Sequence, residues 1–186
     1  MSNNLNISQA EARQRAQLIQ KVSYQVKVQL DPTLDTFVCE SFIKFSATEN
    51  TPTWIDLIAP KVNSIVLNGK ALSVDDAFNG ARIVLPNLNS ENELIINADC
   101  AFMNTGEGLH KHTDPQDGEV YLYTQFEVAD SRRFMPVFEQ PDIKATLQLS
   151  AIAPSHWTLI SNSLTPTPKK YDEKFNLWEF KTTKKI

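Results

Sequence analysis

The feature that most constrains the fold is an unbroken alternation of apolar and polar side chains from Val22 to Leu30, in the sequence VSYQVKVQL. Successive side chains of a β-strand point to opposite faces, so a period of two places one apolar face against a core and one polar face in water. The period of an amphipathic helix is absent here. The segment therefore predicts a half-buried β-strand.

The same signal recurs along most of the chain. We predict further strands in TFVCESFIKFSAT, TWIDLI, ARIVLP, ELIINADCAF, VYLYTQFEV, KATLQLSAIAP, HWTLISNS and NLWEFKTT, and a hairpin around Asn68-Gly69 in VNSIVLNGKALS. The segment MNTGEGLHKHTDPQDGE is predicted to be irregular. Ahead of these strands, Ser8 and Glu11 form an S-x-x-E capping box, which predicts a helix over about residues 9–20.

Roughly ten strands and one short helix predict an all-β fold, a saddle-like β-sandwich of largely antiparallel sheets. No linker or internal repeat divides the 186 residues, so we predict one domain over residues 1–186, with strands from about residue 22 to about residue 182. Cys39 and Cys100 each lie in a strand-like run. They are expected to be buried free thiols.

Charge and hydropathy narrow the possible partners. Eighteen basic and 22 acidic residues give a net charge of -4, and the only basic cluster is the tail KTTKKI. Phosphate binding needs a concentrated basic face, so we expect no nucleic-acid partner. The N-terminal sequence MSNNLNISQAEARQRAQ lacks the features of a signal peptide, and no apolar run is long enough to span a membrane. These observations predict a cytoplasmic protein without a membrane partner.

Catalytic motifs are missing from the sequence. It has no H-E-x-x-H, G-x-S-x-G, G-x-G-x-x-G or P-loop, so we predict no catalytic residue in this chain. His110 and His112 form an H-x-H that could hold a metal together with Asp114 or Asp117. Zinc sites usually show a third well-spaced ligand, so solvated loop histidines are the simpler interpretation.

A polar pair closes the strand VYLYTQFEV. Alternation places Gln125 and Glu127 on the same face as Tyr121 and Tyr123, opposite a core-facing Phe126. A carboxylate fixed at a strand end suits a cationic group such as a protonated amine. From the pattern alone, a solvated polar face is the simpler interpretation of the pair.

The segment RRFMPVFEQPD follows this strand and has a constrained composition. Its two prolines predict a fixed backbone path. We interpret it as a rigid turn in which the arginines pair with Asp130, Glu139 or Asp142.

The stretch YTQFEVADSRRFMPVFEQPDIKATLQL resembles the T-Q-x-E and A-R-x-x-x-P-x-F-D-E-P-x-x-K-A-x-F motifs of one enzyme family. That family is the zinc aminopeptidases of the aminopeptidase N type, and the match is to their N-terminal domain. GEGLH, SNS at 161–163, VNSIVLNGKAL and an opening similar to the bacterial branch extend the resemblance over essentially the whole chain. Glu139-Gln140 replaces the Asp-Glu of many relatives, and Ser131 replaces their Ala.

The resemblance implies a β saddle packed on a thermolysin-like catalytic domain. It implies that Glu127 binds the free α-amino group of a peptide N-terminus and that Gln125 lines the pocket for the first side chain. The family's G-x-M-E-N and H-E-x-x-H-x18-E segments are absent from this sequence. We therefore expect a fragment that ends before the catalytic domain, is inactive alone and binds no zinc, whereas the parent enzyme uses zinc and holds that domain in cis. The alternative is a non-catalytic β-sandwich protein-interaction module of the same fold.

Overall fold

A computed structural model describes residues 6–186 of the chain. The first five residues of the predicted domain 1–186, with the start of the segment tested for a signal peptide, lie outside the described residues. The main helix, α1 (Gln9–Leu18), begins at the predicted capping box: the Ser8 hydroxyl accepts the Glu11 N–H, and the Glu11 carboxylate accepts the Ser8 N–H. The helix ends earlier than predicted because Ile19 already has extended backbone angles.

The chain is all-β, as predicted. The strands among residues 6–186 are β1 (Ile19–Gln29), β2 (Thr36–Ala47), β3 (Thr53–Asp56), β4 (Lys61–Leu67), β5 (Lys70–Leu72), β6 (Arg82–Leu85), β7 (Glu91–Ala101), β8 (Gly108–Thr113), β9 (Val120–Gln125), β10 (Ala145–Pro154), β11 (Lys169–Lys170) and β12 (Phe175–Glu179). A short helix α2 (Val74–Ala77) and a 3₁₀ turn (Ser131–Arg133) complete the described structure. The predicted hairpin at Asn68-Gly69 is β4 and β5.

One large sheet organises the domain. Its eight strands have the order β11-β12-β10-β1-β2-β7-β4-β5, and two small sheets pair β3 with β6 and β8 with β9. β1 and β10 run parallel, and the other strand pairs are antiparallel. This arrangement confirms the predicted largely antiparallel architecture.

The core lies on one face of the large sheet. The alternation from residue 22 to residue 30 is seen directly, since Val22, Tyr24, Val26, Val28 and Leu30 are all buried. Burying an aliphatic or aromatic side chain of this size contributes about 1.5–3 kcal/mol, so this face accounts for much of the driving force for folding. The two cysteines lie in the same core as free, buried thiols, as predicted.

The loop after β9 is part of this core rather than a surface connection. Phe134, Met135, Val137 and Phe138 are buried in it. The Phe138 N–H donates to the hydroxyl of Tyr24 at 2.9 Å, which fixes the loop to β1. A loop held in this way gives the residues just before it a firm support.

Three local predictions were wrong. Residues 108–113, predicted to be irregular, form β8, because their backbone pairs with β9 although the side chains show no apolar face. Residues 156–163, predicted as a strand, form none. Trp157 and Leu159 pack on the core in alternation, but no neighbouring strand pairs with this part of the described chain. The third error is the length of β9, which ends at Gln125 rather than at Val128.

Candidate functional site

The candidate site lies where the β8–β9 hairpin ends. Gln125 is the last residue of β9 and pairs with Gly108, the first residue of β8. Phe126 follows, half-buried, with its ring 5.6 Å from that of Phe134 in the core. Gln125 and Glu127 are both exposed and flank this anchored ring.

Glu127 belongs to a turn, not to the strand. β9 was predicted to run through Val128 but ends at Gln125, and Val128 is 85% exposed rather than part of an apolar face. The Asp130 N–H donates to the Phe126 carbonyl at 3.0 Å and closes the turn that contains Glu127. The predicted strand alternation therefore does not relate Gln125 to Glu127. Their proximity results from the Phe126 anchor and this turn.

Three carboxylates lie near the strand end, and Arg133 pairs with two of them. Arg133 contacts Asp130, with 2.8 Å between Nε and Oδ1, and Glu107, with 3.2 Å between Nη2 and Oε2. The pairing of an arginine with Asp130 was predicted, whereas its contact with Glu107 was not. Within residues 6–186, no hydrogen bond or ion pair uses the Glu127 carboxylate. Glu127 is thus the carboxylate at this position that is available to a cation.

The strand that leads to the site has two exposed tyrosines, as the pattern predicted. Tyr123 lies against the ring of His110, with 4.7 Å between ring centres. The Tyr121 hydroxyl donates to Asp117 Oδ2 at 2.8 Å. This bond, together with the stronger effect of the Glu119 backbone N–H, lowers the pKa of Asp117.

The alternative metal site is not assembled. Nδ1 of His110 accepts the Gly106 N–H at 3.0 Å. Asp114 accepts the Gln116 N–H at 2.8 Å, and His112 is exposed on β8. No group of three or more His, Cys, Asp or Glu side chains in the described part of the chain is arranged to hold a metal ion. The residues present therefore do not fit a zinc ion.

The rigid segment after the site contains the two departures from the family motif, and these residues contact each other. The Ser131 hydroxyl donates to Glu139 Oε2 at 2.6 Å, and the Arg132 N–H donates to the same oxygen at 2.7 Å. Burial raises the pKa of Glu139, and these two donors act in the opposite direction. Gln140 donates from Nε2 to the carbonyl of Ala12, which links the segment to α1.

Sequence reasoning missed the role of Gly108. Its φ is +59°, and a Cβ built on it would lie 2.8 Å from Cβ of Arg133. The backbone of β8 can therefore approach Arg133 only because residue 108 has no side chain. The glycines of GEGLH were the signal that could have shown this close approach.

Comparisons with known proteins agree with the resemblance in the sequence. A family model described as the Peptidase M1 N-terminal domain matches residues 20–186. The chain is 46% identical, over 97% of its length, to a protein of Streptomyces lividans named Aminopeptidase N, of which it covers 21%. It is 34% identical, over 58% of its length, to Probable M1 family aminopeptidase 1 of Encephalitozoon cuniculi (strain GB-M1), of which it covers 15%. The chain thus spans a minor, N-terminal part of these relatives.

Proposed function

This chain belongs to the family of peptidase M1 N-terminal domains, and we propose that it is the substrate-anchoring part of a zinc-dependent aminopeptidase. In this proposal, Glu127 binds the α-ammonium group of a peptide N-terminus. Gln125 lines the pocket for the first side chain. The zinc ion and the catalytic domain belong to the rest of the parent protein, and this chain alone is inactive.

The availability of the Glu127 carboxylate is the observation that supports this role best. Glu107 and Asp130 are already paired with Arg133, so an incoming cation meets one free carboxylate rather than three. An ionised carboxylate forms short, strong hydrogen bonds to ammonium donors, and one such group matches the single positive charge of a peptide N-terminus. Anchoring the N-terminus would make the enzyme an exopeptidase.

The exposure of Glu127 explains why the isolated chain should bind peptides weakly. A solvent-exposed ion pair contributes about 0–1 kcal/mol, because water screens both charges. The same pair becomes stronger when a neighbouring domain covers it and lowers the local dielectric constant. The proposal therefore requires the catalytic domain in cis, as predicted from the sequence.

Gln125 is suited to a pocket wall. Its amide offers a donor and an acceptor without adding a second charge beside Glu127. Its backbone is held in the ladder with Gly108, so the side chain starts from a fixed position.

No helix within residues 6–186 has the length and apolarity needed to cross a membrane. The cytoplasmic location stays a prediction from the sequence.

The decisive experiment is kinetic and uses the full-length enzyme. Changing Glu127→Ala should lower kcat/KM on aminoacyl substrates by an amount equivalent to about 2–4 kcal/mol, because a charge partner is lost in a covered site. Glu127→Gln should give a similar loss, since the amide keeps the shape but not the charge. Glu93→Gln, which removes an exposed carboxylate paired with Lys44 on the large sheet, is the matched control and should change kcat/KM little.

Two outcomes would contradict the proposal. A full-length enzyme that keeps wild-type kcat/KM after Glu127→Ala would exclude the anchoring role. A native protein no larger than this 21.0 kDa chain would favour the non-catalytic interaction module instead. The size is measured on the protein in its source cells, with an antibody against this domain.

A further inference from the structure

Arg133 connects the two backbone segments that present the candidate site. Its Nη2 lies 3.2 Å from Glu107 Oε2, immediately before β8, and its Nε lies 2.8 Å from Asp130 Oδ1, at the end of the Glu127 turn. The Asp130 N–H in turn bonds to the Phe126 carbonyl. One guanidinium group therefore joins the start of β8 to the turn that carries Glu127.

The base of the Arg133 side chain also has a close contact. Cβ of Arg133 lies 2.8 Å from the position that a Cβ on Gly108 would occupy, so the arginine packs directly on the β8 backbone. Gly108 is the ladder partner of Gln125. Arg133 is 24% exposed and continues from the 3₁₀ turn, where its N–H donates to the Asp130 carbonyl at 3.1 Å. Contacts at both ends leave its side chain little freedom.

From this geometry we propose that Arg133 is a positioning residue for amine recognition. It fixes the Glu127 turn relative to the Gln125 strand, and it occupies Asp130 and Glu107 so that neither competes with Glu127 for the ammonium group. A planar guanidinium can bridge two carboxylates in fixed directions, whereas a lysine ammonium is a point charge. The inference rests on the proposed function of Glu127 and adds a residue that acts through it.

The test compares inhibitors with and without an α-amine on the full-length enzyme. Leucine hydroxamate and 4-methylpentanohydroxamate differ only in that amine, and the chelating group gives both of them affinity. Changing Arg133→Met should raise the Ki of leucine hydroxamate by about 10- to 100-fold, because the carboxylate that receives the amine is misplaced. The Ki of 4-methylpentanohydroxamate should stay unchanged. Arg133→Lys should restore only part of the affinity.

Arg82→Met is the matched control, because Arg82 also lies between two carboxylates, at 3.0 Å from Glu11 and 3.8 Å from Asp56, and is 19% exposed. It should weaken neither inhibitor. A double variant, Glu127→Gln with Arg133→Met, should bind leucine hydroxamate no more weakly than Glu127→Gln alone.

The outcomes separate this inference from the proposed function. If Glu127→Gln leaves the Ki of leucine hydroxamate unchanged, the proposed function fails. If Glu127→Gln weakens that inhibitor but Arg133→Met does not, or weakens both inhibitors equally, only the role of Arg133 is overturned. Additive effects in the double variant would also overturn it, because they would show that Arg133 does not act through Glu127.

Discussion

Arg15 and Asp56 form an ion pair inside the protein, with 2.6 Å between Nη1 and Oδ2 and side chains that are only 1% and 4% exposed. Arg15 also donates from Nε to Gln140 Oε1 at 3.1 Å, and its guanidinium lies 4.7 Å from the centre of the Trp54 ring. The pair joins α1 to β3 and to the loop after β9. The N-terminal helix is thereby held on the same segment that supports the candidate site.

Removing one partner of this ion pair should strongly lower the stability of the folded protein. Arg15→Met leaves Asp56 buried without its main counter-charge, and a change of this kind typically lowers the free energy of unfolding by about 3–5 kcal/mol. Denaturant unfolding of the two proteins measures the difference. Lys44→Met is the control, because Lys44 pairs with Glu93 at 2.9 Å but the side chains are 53% and 57% exposed. Its loss should stay below about 1 kcal/mol, and an equal loss in both variants would contradict the argument.

The capping box of α1 should make stability depend on pH. The backbone N–H of Ser8, followed by the Ser8 hydroxyl and Arg82, lowers the pKa of Glu11 from 4.5 to about 2. The folded state therefore favours the ionised carboxylate. Its stabilising contribution is complete above pH 4.5 and is lost as the pH falls through about 2.

Denaturant unfolding of the wild type and of Glu11→Gln at a series of pH values tests this effect. The wild type should be more stable above pH 4.5, and the difference should shrink steadily as the pH approaches about 2. Comparing the two proteins isolates Glu11 from other acidic groups such as Asp31, whose pKa is also lowered, mainly by Thr33. A difference that stays constant over this range would contradict the prediction.

Ser131→Ala should destabilise the protein, because it removes a hydrogen-bond donor from the half-buried carboxylate of Glu139. The Ser131 hydroxyl is one of two donors to Glu139 Oε2, and burial already raises the pKa of this carboxyl group. Losing a hydrogen bond to a charged group should lower the free energy of unfolding at neutral pH by about 1.5–3 kcal/mol and raise the pKa of Glu139 further. The loss should shrink as the pH falls toward 4.5, the ordinary value, because Glu139 becomes protonated.

Carboxyl NMR titration follows the pKa of Glu139, and denaturant unfolding follows stability. Ser46→Ala is the matched control, because the Ser46 hydroxyl donates to Glu91 Oε1 at 2.9 Å in an exposed pair. Water can replace that bond, so its loss should change stability by less than about 0.5 kcal/mol. Equal losses at positions 131 and 46 would show that the burial of Glu139 is unimportant.

The two cysteines should be unreactive in the folded protein. Cys39 and Cys100 are both fully buried, and a hydrogen bond with Cys39 together with burial raises the pKa of the Cys100 thiol. Reaction with alkylating reagents requires an accessible thiolate. Mass spectrometry after iodoacetamide treatment should show no modification in native buffer and two modified thiols in denaturant. Rapid modification of the native protein would contradict the buried arrangement.

The strands that could be predicted are those in which burial of one face makes apolar and polar side chains alternate. Val22 to Leu30 alternates because one face lies in the core, and this periodicity is readable from the sequence alone. Strand β8 could not be predicted, because its pairing with β9 uses backbone atoms and leaves no apolar pattern. The reverse holds for Trp157 and Leu159, which alternate with exposed residues but lack a strand partner in the described chain.

The candidate site was predicted only in part, for a similar reason. Periodicity alone indicated no more than a polar face at Gln125 and Glu127, and their proposed roles came from the family resemblance. The contact between Arg133 and Glu107 joins the 3₁₀ turn to the residue before β8, and no local spacing encodes it. Such contacts depend on how the β8–β9 hairpin packs on the 3₁₀ turn, which is a tertiary property.

The close approach at Gly108 can be tested against Gly118 in the same hairpin. The comparison separates the strain of a left-handed backbone from the steric contact with Arg133. Gly108 has φ +59°, and an added Cβ would lie 2.8 Å from Cβ of Arg133; Gly118 has φ +75°, with nothing within 4 Å. Gly118→Ala should therefore cost only the strain of a left-handed residue, about 1–2 kcal/mol. Gly108→Ala should cost about 1–3 kcal/mol more, because the packing on Arg133 must open.

Denaturant unfolding gives the two losses, and hydrogen exchange at the amide of Gln125 reports the local effect. Because Gln125 is the ladder partner of Gly108, its exchange should accelerate in Gly108→Ala more than the global loss of stability explains. In Gly118→Ala it should follow global stability alone. If the two variants lose the same stability and show the same exchange at Gln125, then the contact between Gly108 and Arg133 does not hold this end of the hairpin.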